Sequence, residues 1–186
     1  LLGPADDAVA IIEGTHSFVT DTPDFWRRQY AEYPQPGQRF TGAPAYFRHI
    51  IAAAERLMQA MDTSPPDYSH AVFHQPNTKF PLRVGKQLGF TPAQLEPGLL
   101  APLVGNVYAG SALVGLTAVL DIAKRGDRVL VVSFGSGAGS DAFQFCIGER
   151  LSVCREYAPS TQDYVQRRTE IDYATYSRYR GKLMLE

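Results

Sequence analysis

Two short stretches carry the side chains best suited to chemistry. Phe73-His74-Gln75-Pro76-Asn77 places an imidazole where an apolar run gives way to turn residues. Gly105-Asn106-Val107-Tyr108-Ala109-Gly110-Ser111 places a carboxamide on a second turn. Each stands just before a segment with helical periodicity. Two neutral hydrogen-bonding side chains aimed at one point suit carbonyl chemistry: they can polarise a thioester or ketone oxygen and stabilise the enolate or alkoxide formed there. Taken singly, His74 also reads as a structural histidine at a strand end, and Asn106 as a turn residue that tolerates strained loop angles. Asn77 reads either as a further site group or as support for the turn that holds His74.

A third stretch, Gly135-Ser136-Gly137-Ala138-Gly139-Ser140, suggests a phosphate cradle but lacks the Gly-Lys-Ser/Thr ending of a P-loop, and a strand rather than a helix is expected after it. Lys79 and Arg83 lie one turn apart on the segment after His74, with Lys86 at helical spacing; they are either a solvated basic face or a set of phosphate contacts. His16, His49 and His70 have no ligand spacing, so no metal site is expected. Cys146 falls in an apolar run and Cys154 just after it, neither on a loop opening a helix, which suits buried or incidental thiols rather than a nucleophile.

The elements that must position these groups follow from apolar periodicity. Residues 8–13 read as a buried strand, and 14–42 as a long loop rich in Thr, Pro, Arg and aromatic residues. Pro44 opens a helix that runs to Met61, with Ile50, Ala54, Leu57 and Met58 on one face. A strand from Tyr68 to Phe73 leads to His74, a helix covers Thr78 to Leu88, and Gly89 stops it. Residues 90–109 read as irregular. Ser111 to Ala123 is a helix so rich in Ala, Gly, Leu and Val that burial nearly all round is expected. Val129 to Phe134 is a strand, the glycine stretch a loop, and Asp141 to Ile147 an antiparallel return strand. Together these predict an α/β fold with a mixed, mostly parallel sheet flanked by helices. Residues 1–155 would form the domain, and 156–186, rich in Tyr and Arg, a helical tail packed on it or on an interface.

At 186 residues the chain can bury one sizeable core, and its net charge of −1 gives no reason to expect nucleic acid or a membrane surface as partner. No apolar run is long enough to span a bilayer, and the first residues lack the pattern of a signal peptide. With two cysteines and no disulfide framework, a cytoplasmic setting is expected.

The order His-x-Pro-Asn, Gly-Asn-x-x-x-x-Ser, Gly-Ser-Gly-Ala-Gly-Ser resembles the thiolase-fold condensing enzymes. Further stretches narrow the resemblance to the archaeal-type 3-hydroxy-3-methylglutaryl-CoA synthases: Thr20-Asp21-Thr22-Pro23-Asp24-Phe25-Trp26-Arg27, Arg39-Phe40-Thr41-Gly42-Ala43-Pro44-Ala45-Tyr46-Phe47, His74-Gln75-Pro76-Asn77-Thr78-Lys79-Phe80-Pro81, and Ser133 through Phe143. The resemblance runs from Val9 to about Arg180 and corresponds to the C-terminal half of a fold built from two similar halves. It implies condensation of acetyl-CoA with acetoacetyl-CoA in the mevalonate pathway, with no cofactor beyond the coenzyme A thioesters. His74 and Asn106 would act on the ketone oxygen. The Ser136 N–H would contribute to an oxyanion hole, and Gly135 beside it would bind substrate. Lys79, Arg83 and Asn77 would lie on the coenzyme A side. In the family the nucleophilic cysteine and the glutamate base belong to the N-terminal half, which this sequence does not include. The resemblance therefore implies that half as partner, a homo-oligomer, and an assembly with acetoacetyl-CoA thiolase and a small scaffold protein.

Two other functions compete. A ketoacyl-acyl-carrier-protein-synthase-III-like acyltransferase shares the His, Asn and Gly motifs, but the block from Thr20 to Phe47 argues against it. A non-catalytic module that binds coenzyme A or a thiolase partner would not need the His74/Asn106 pair.

Overall fold

The computed structural model describes residues 2–182; Leu1 and the last four positions of the expected tail, 183–186, lie outside the described residues. Strand β1 (Ala10–Thr22) is followed by the short hairpin strands β2 (Phe25–Trp26) and β3 (Gln35–Pro36), then helix α1 (Phe47–Ala60) and strand β4 (His70–Phe73). Helices α2 (Lys79–Leu88), α3 (Pro92–Leu95), α4 (Ala101–Val104) and α5 (Ser111–Leu120) lead to strands β5 (Arg128–Val132) and β6 (Gly137–Ile147). Helices α6 (Leu151–Cys154), α7 (Thr161–Gln166) and α8 (Tyr173–Tyr179) close the described chain. No helix among the described residues is long and apolar enough to cross a membrane.

Four strands form one mixed sheet in the order β1-β6-β5-β4. Its faces are set by the period-two alternation of side chains. Leu130 and Val132 of β5, with Ala71 and Phe73 of β4, pack against Ile50, Ala53, Ala54 and Leu57 of α1. Val129 and Val131, with Val72, pack against Ala112 and Val119 of α5 on the opposite face. Fully burying each of the large aliphatic side chains favours folding by about 1.5–3 kcal/mol, so two continuous apolar layers hold the sheet between α1 and α5. Gly89 ends α2 as expected: it adopts φ +94°, and Phe90 N–H returns to Gly85 O at 2.8 Å.

Several expectations need correction. Only the β4–β5 pairing is parallel; β1–β6 and β5–β6 are antiparallel, so the sheet is mixed but not mostly parallel. The reason is that β6 returns from β5 through a tight turn, which only an antiparallel pair can use, and β1 then adds on the far edge of β6. The expected loop from Gly14 instead continues β1 to Thr22, paired with β6 across two bulges. As an edge strand it needs little apolar surface, and polar residues such as Ser17 and Thr20 hide its alternation. Phe18 points into the core while Val19 is 66% exposed. Pro44 lies in a wide helical turn, Thr41–Tyr46, that precedes α1 rather than opening it. The irregular stretch 90–109 contains α3 and α4. Helix α5 ends at Leu120, and it is not buried all round: Leu113 is 64% exposed. The glycine stretch is shorter as a loop than expected, because β6 already begins at Gly137.

Candidate active site

His74 lies one residue beyond β4, yet its N–H donates to Val132 O at 2.8 Å and so extends the parallel ladder by one step. Its own carbonyl accepts the hydroxyl of Tyr46, a residue 1% exposed at the foot of α1. The imidazole packs near the rings of Tyr46 and Phe134, with centroids 6.1 and 6.0 Å away, and only 7% of the residue is exposed. That burial pulls its pKa down to about 4, so the ring is neutral at neutral pH. Nδ1 is enclosed without a hydrogen-bond partner. An orphaned N–H in such a place is rarer and costlier than an unfilled lone pair. The proton therefore belongs on Nε2, the nitrogen left to meet a ligand, and His74 is a neutral N–H donor.

Asn106 sits on the loop between α4 and α5. Its Oδ1 accepts the N–H of Tyr108 at 2.8 Å, a local closure that orients the carboxamide and leaves the Nδ2 hydrogens unspent. Gly105, at φ +73°, lets the chain turn just before it.

The turn between β5 and β6 supplies a third donor. Gly135 N–H and Gly139 N–H are exchanged with each other's carbonyls at 2.8 and 3.0 Å, and Gly137 N–H donates to Asp24 Oδ1 at 2.6 Å. Of the three consecutive amides from 135 to 137, only that of Ser136 has no partner among the described residues. Gly139 is required for the close approach, since a Cβ there would lie 2.3 Å from Phe18 O.

His74, Asn106 and Ser136, with Gly135, line one cavity of about 340 Å³ whose apolar wall includes Phe134 and Phe80. The three come from a strand end, a helix–helix loop and a strand turn, far apart in sequence. The structure does not bring the other expected residues into that wall. Asn77 Oδ1 accepts the N–H groups of Lys79 and Phe80 at 2.9 and 3.0 Å, so it caps α2 and supports the turn after His74. Lys79 and Arg83 are exposed on the same helix that carries Phe80, with the Arg83 guanidinium 4.5 Å from the Phe47 ring centre. Cys146 and Cys154 lie outside the cavity, in β6 and at the end of α6.

Sequence reasoning missed Asp24 and Tyr46. Asp24 is fully buried, ties the β6 turn down through Gly137, accepts Gly37 N–H and Thr41 Oγ1 on its backbone oxygen, and leaves Oδ2 without a partner. The available signal was a carboxylate between proline and aromatic residues. The sequence marks Tyr46 only within the Arg39–Phe47 stretch, and its contact with His74 distinguishes it.

Relatives share this arrangement of elements. Residues 58–145 match the family model described as the C-terminal part of 3-oxoacyl-[acyl-carrier-protein] synthase III. The hydroxymethylglutaryl-CoA synthase of Thermococcus sibiricus is 58% identical over 179 residues, covering 96% of this chain and 51% of the relative. That of Pyrococcus furiosus is 55% identical over 181 residues, covering 97% and 52%. The chain belongs to the hydroxymethylglutaryl-CoA synthase family. It spans about half the length of the curated relatives it matches. A crystal structure of an HMG-CoA synthase complexed with CoA shares the fold, with a TM-score of 0.75 at 23% identity over 91% of this chain and 47% of that one. The fold is thus thiolase-like and represents one C-terminal half, as the motifs implied. The synthase III model begins at residue 58, after the Thr20–Phe47 block, whereas the hydroxymethylglutaryl-CoA synthases match nearly the whole chain.

Proposed function

We propose that this chain is the half of a hydroxymethylglutaryl-CoA synthase that holds the reacting ketone oxygen during condensation of acetyl-CoA with acetoacetyl-CoA. One observation carries the reading: His74, Asn106 and Ser136, three residues able to offer neutral hydrogen-bond donors, line a single cavity. In this reading a cysteine on the N-terminal half carries the acetyl group, and a glutamate there removes its methyl proton. The resulting carbanion attacks the acetoacetyl ketone. His74 and Asn106 donate to the oxygen as it becomes an alkoxide, and they cost no reorganisation because the sheet and the Asn106 loop already hold them. The Ser136 N–H supports the thioester oxygen on the cysteine. Hydrolysis of that thioester releases hydroxymethylglutaryl-CoA.

Coenzyme A would enter beside α2, where Lys79 and Arg83 flank Phe80 and can meet its phosphates; Asn77 serves them by fixing the helix start. The partner is the N-terminal half with its cysteine, and the setting is the cytoplasm. A homo-oligomer and an assembly with acetoacetyl-CoA thiolase and a small scaffold protein complete the reading.

The test is made in the complete protein that includes both halves. His74→Ala and Asn106→Ala should leave acetyl transfer to the cysteine within about threefold and lower condensation by roughly 10²–10⁴ and 10²–10³-fold. Condensation unchanged in both variants would sink the catalytic reading and favour a non-catalytic coenzyme A-binding module. Turnover with a malonyl thioester instead of acetoacetyl-CoA would favour the synthase III alternative.

A further inference from the structure

Gln75 follows His74 directly and is 3% exposed. A carboxamide offers two donor and two acceptor positions, and here all four are used. Nε2 donates to Gly98 O at 2.8 Å and to Ser111 O at 3.4 Å. Oε1 accepts from Leu100 N–H and Ala101 N–H, both at 2.8 Å. Leu100 caps the N-terminus of α4 and Ala101 begins it, and Ser111 begins α5; Asn106 lies on the segment between the two helices. One side chain thus grips both ends of the segment that carries Asn106, while its backbone is bonded to His74. Two glycines make room for this grip. A Cβ at Gly115 would lie 3.0 Å from Gln75 Nε2 and 2.8 Å from Gly98 O, and one at Gly98 would lie 2.8 Å from Val72 Cγ2.

We propose that Gln75 is the positioning residue that sets the separation of His74 and Asn106, so that both donors reach one oxygen. It touches no reacting atom; it converts the rigid end of the parallel ladder into a fixed placement for a loop that is otherwise exposed. Without it Asn106 keeps only the Tyr108 N–H at 2.8 Å and the long Ser111 Oγ contact at 3.5 Å. The proposal rests on the catalytic reading of the His74/Asn106 pair. It goes further in naming what couples two loops that come from opposite sides of α2 and α3 in the chain.

The experiment compares Gln75→Met with the parent, each with and without Asn106→Ala, in the complete protein. Gln75→Met should lower condensation roughly 10–100-fold, the cost of a misplaced group, with acetyl-enzyme yield within about twofold. In the Asn106→Ala background the further loss should be under about threefold, because the group being positioned is already gone. A destabilised fold would instead lose the same factor in both backgrounds, and that result overturns the proposal. Gln75→Glu makes the same comparison if Met does not fold: its carboxylate still accepts from Leu100 and Ala101 but cannot donate to Gly98 and Ser111. Amide exchange at Leu100 and Ala101 should quicken in Gln75→Met and stay slow in Gln75→Glu; unchanged exchange in Gln75→Met would also overturn it. Should Asn106→Ala alone keep full condensation, the catalytic reading fails and the proposal with it, an outcome visible without any Gln75 variant.

Discussion

A buried histidine that stays neutral is a different tool from one poised to titrate. Burial holds His74 near a pKa of about 4, against 6.5 for a free imidazole. Between those values the unfolded chain takes up a proton that the folded one refuses. The contribution to stability is therefore full above about pH 6.5 and is lost as the pH falls towards 4, by on the order of 3 kcal/mol in all. His74→Gln should flatten the pH dependence of unfolding free energy in that window, as followed by urea denaturation. The same shift means that condensation should show no acid limb at pH 6.5 that disappears in His74→Ala. Asp24 belongs to this scale too. Asp24→Ala removes the acceptor for Gly137 N–H and should lower acetyl-enzyme formation about tenfold, since a preorganised turn no longer presents Ser136; an unchanged acetylation rate would argue against that role.

At the scale of elements, the site depends on how closely β1 approaches the β5–β6 turn. A methyl at Gly139 would meet backbone, Phe18 O at 2.3 Å and Val19 Cα at 2.9 Å, and the two strands would have to part. A methyl at Gly14 would meet Met61 Sδ at 2.4 Å, the middle of a side chain with three rotatable bonds. Gly139→Ala should therefore cost more than about 2 kcal/mol and Gly14→Ala about 1 or less, by thermal or urea unfolding. A reversed order would mean that β1 and β6 slide more freely than their register implies. Much of this scale was legible in sequence. The helix after His74, its glycine stop and the strand into Val132 all follow from strong periodicity and turn chemistry. The length of β1 was not, because an edge strand exposed along much of its length carries polar residues where a central strand would carry Val and Ile.

The whole molecule leaves an apolar surface uncovered around the Asn106 loop. Tyr108 is 68% exposed and Leu113 64%, with Leu103, Val104 and Val107 also exposed on the same stretch of chain. The relatives it matches are about twice as long, and in the proposed reading the N-terminal half covers this surface. The chain on its own should self-associate or precipitate, and adding the N-terminal half should slow amide exchange along α5. Sedimentation of the isolated chain as a stable monomer would contradict this. Leu113→Asp should weaken association of the halves while leaving the α5 helix intact, because the side chain it replaces is mostly exposed.

By itself the sequence determined the chemistry available and the elements that bear it, since helix and strand periods, glycine stops and motif order are properties of neighbouring residues. Local pattern placed His74, Asn106 and Ser136 at turns, and the family resemblance implied that His74 and Asn106 act on one oxygen. The Asn77 cap is local, its partners being the N–H groups of Lys79 and Phe80. The convergence of His74, Asn106 and Ser136 on one cavity was decided by tertiary structure. So were the neutral state of His74, the roles of Asp24, Tyr46 and Gln75, and the antiparallel share of the sheet. Each depends on groups distant in the chain: burial by Tyr46 and Phe134, an amide offered by Gly137, carbonyls offered by Gly98 and Ser111. No window of local sequence contains those partners.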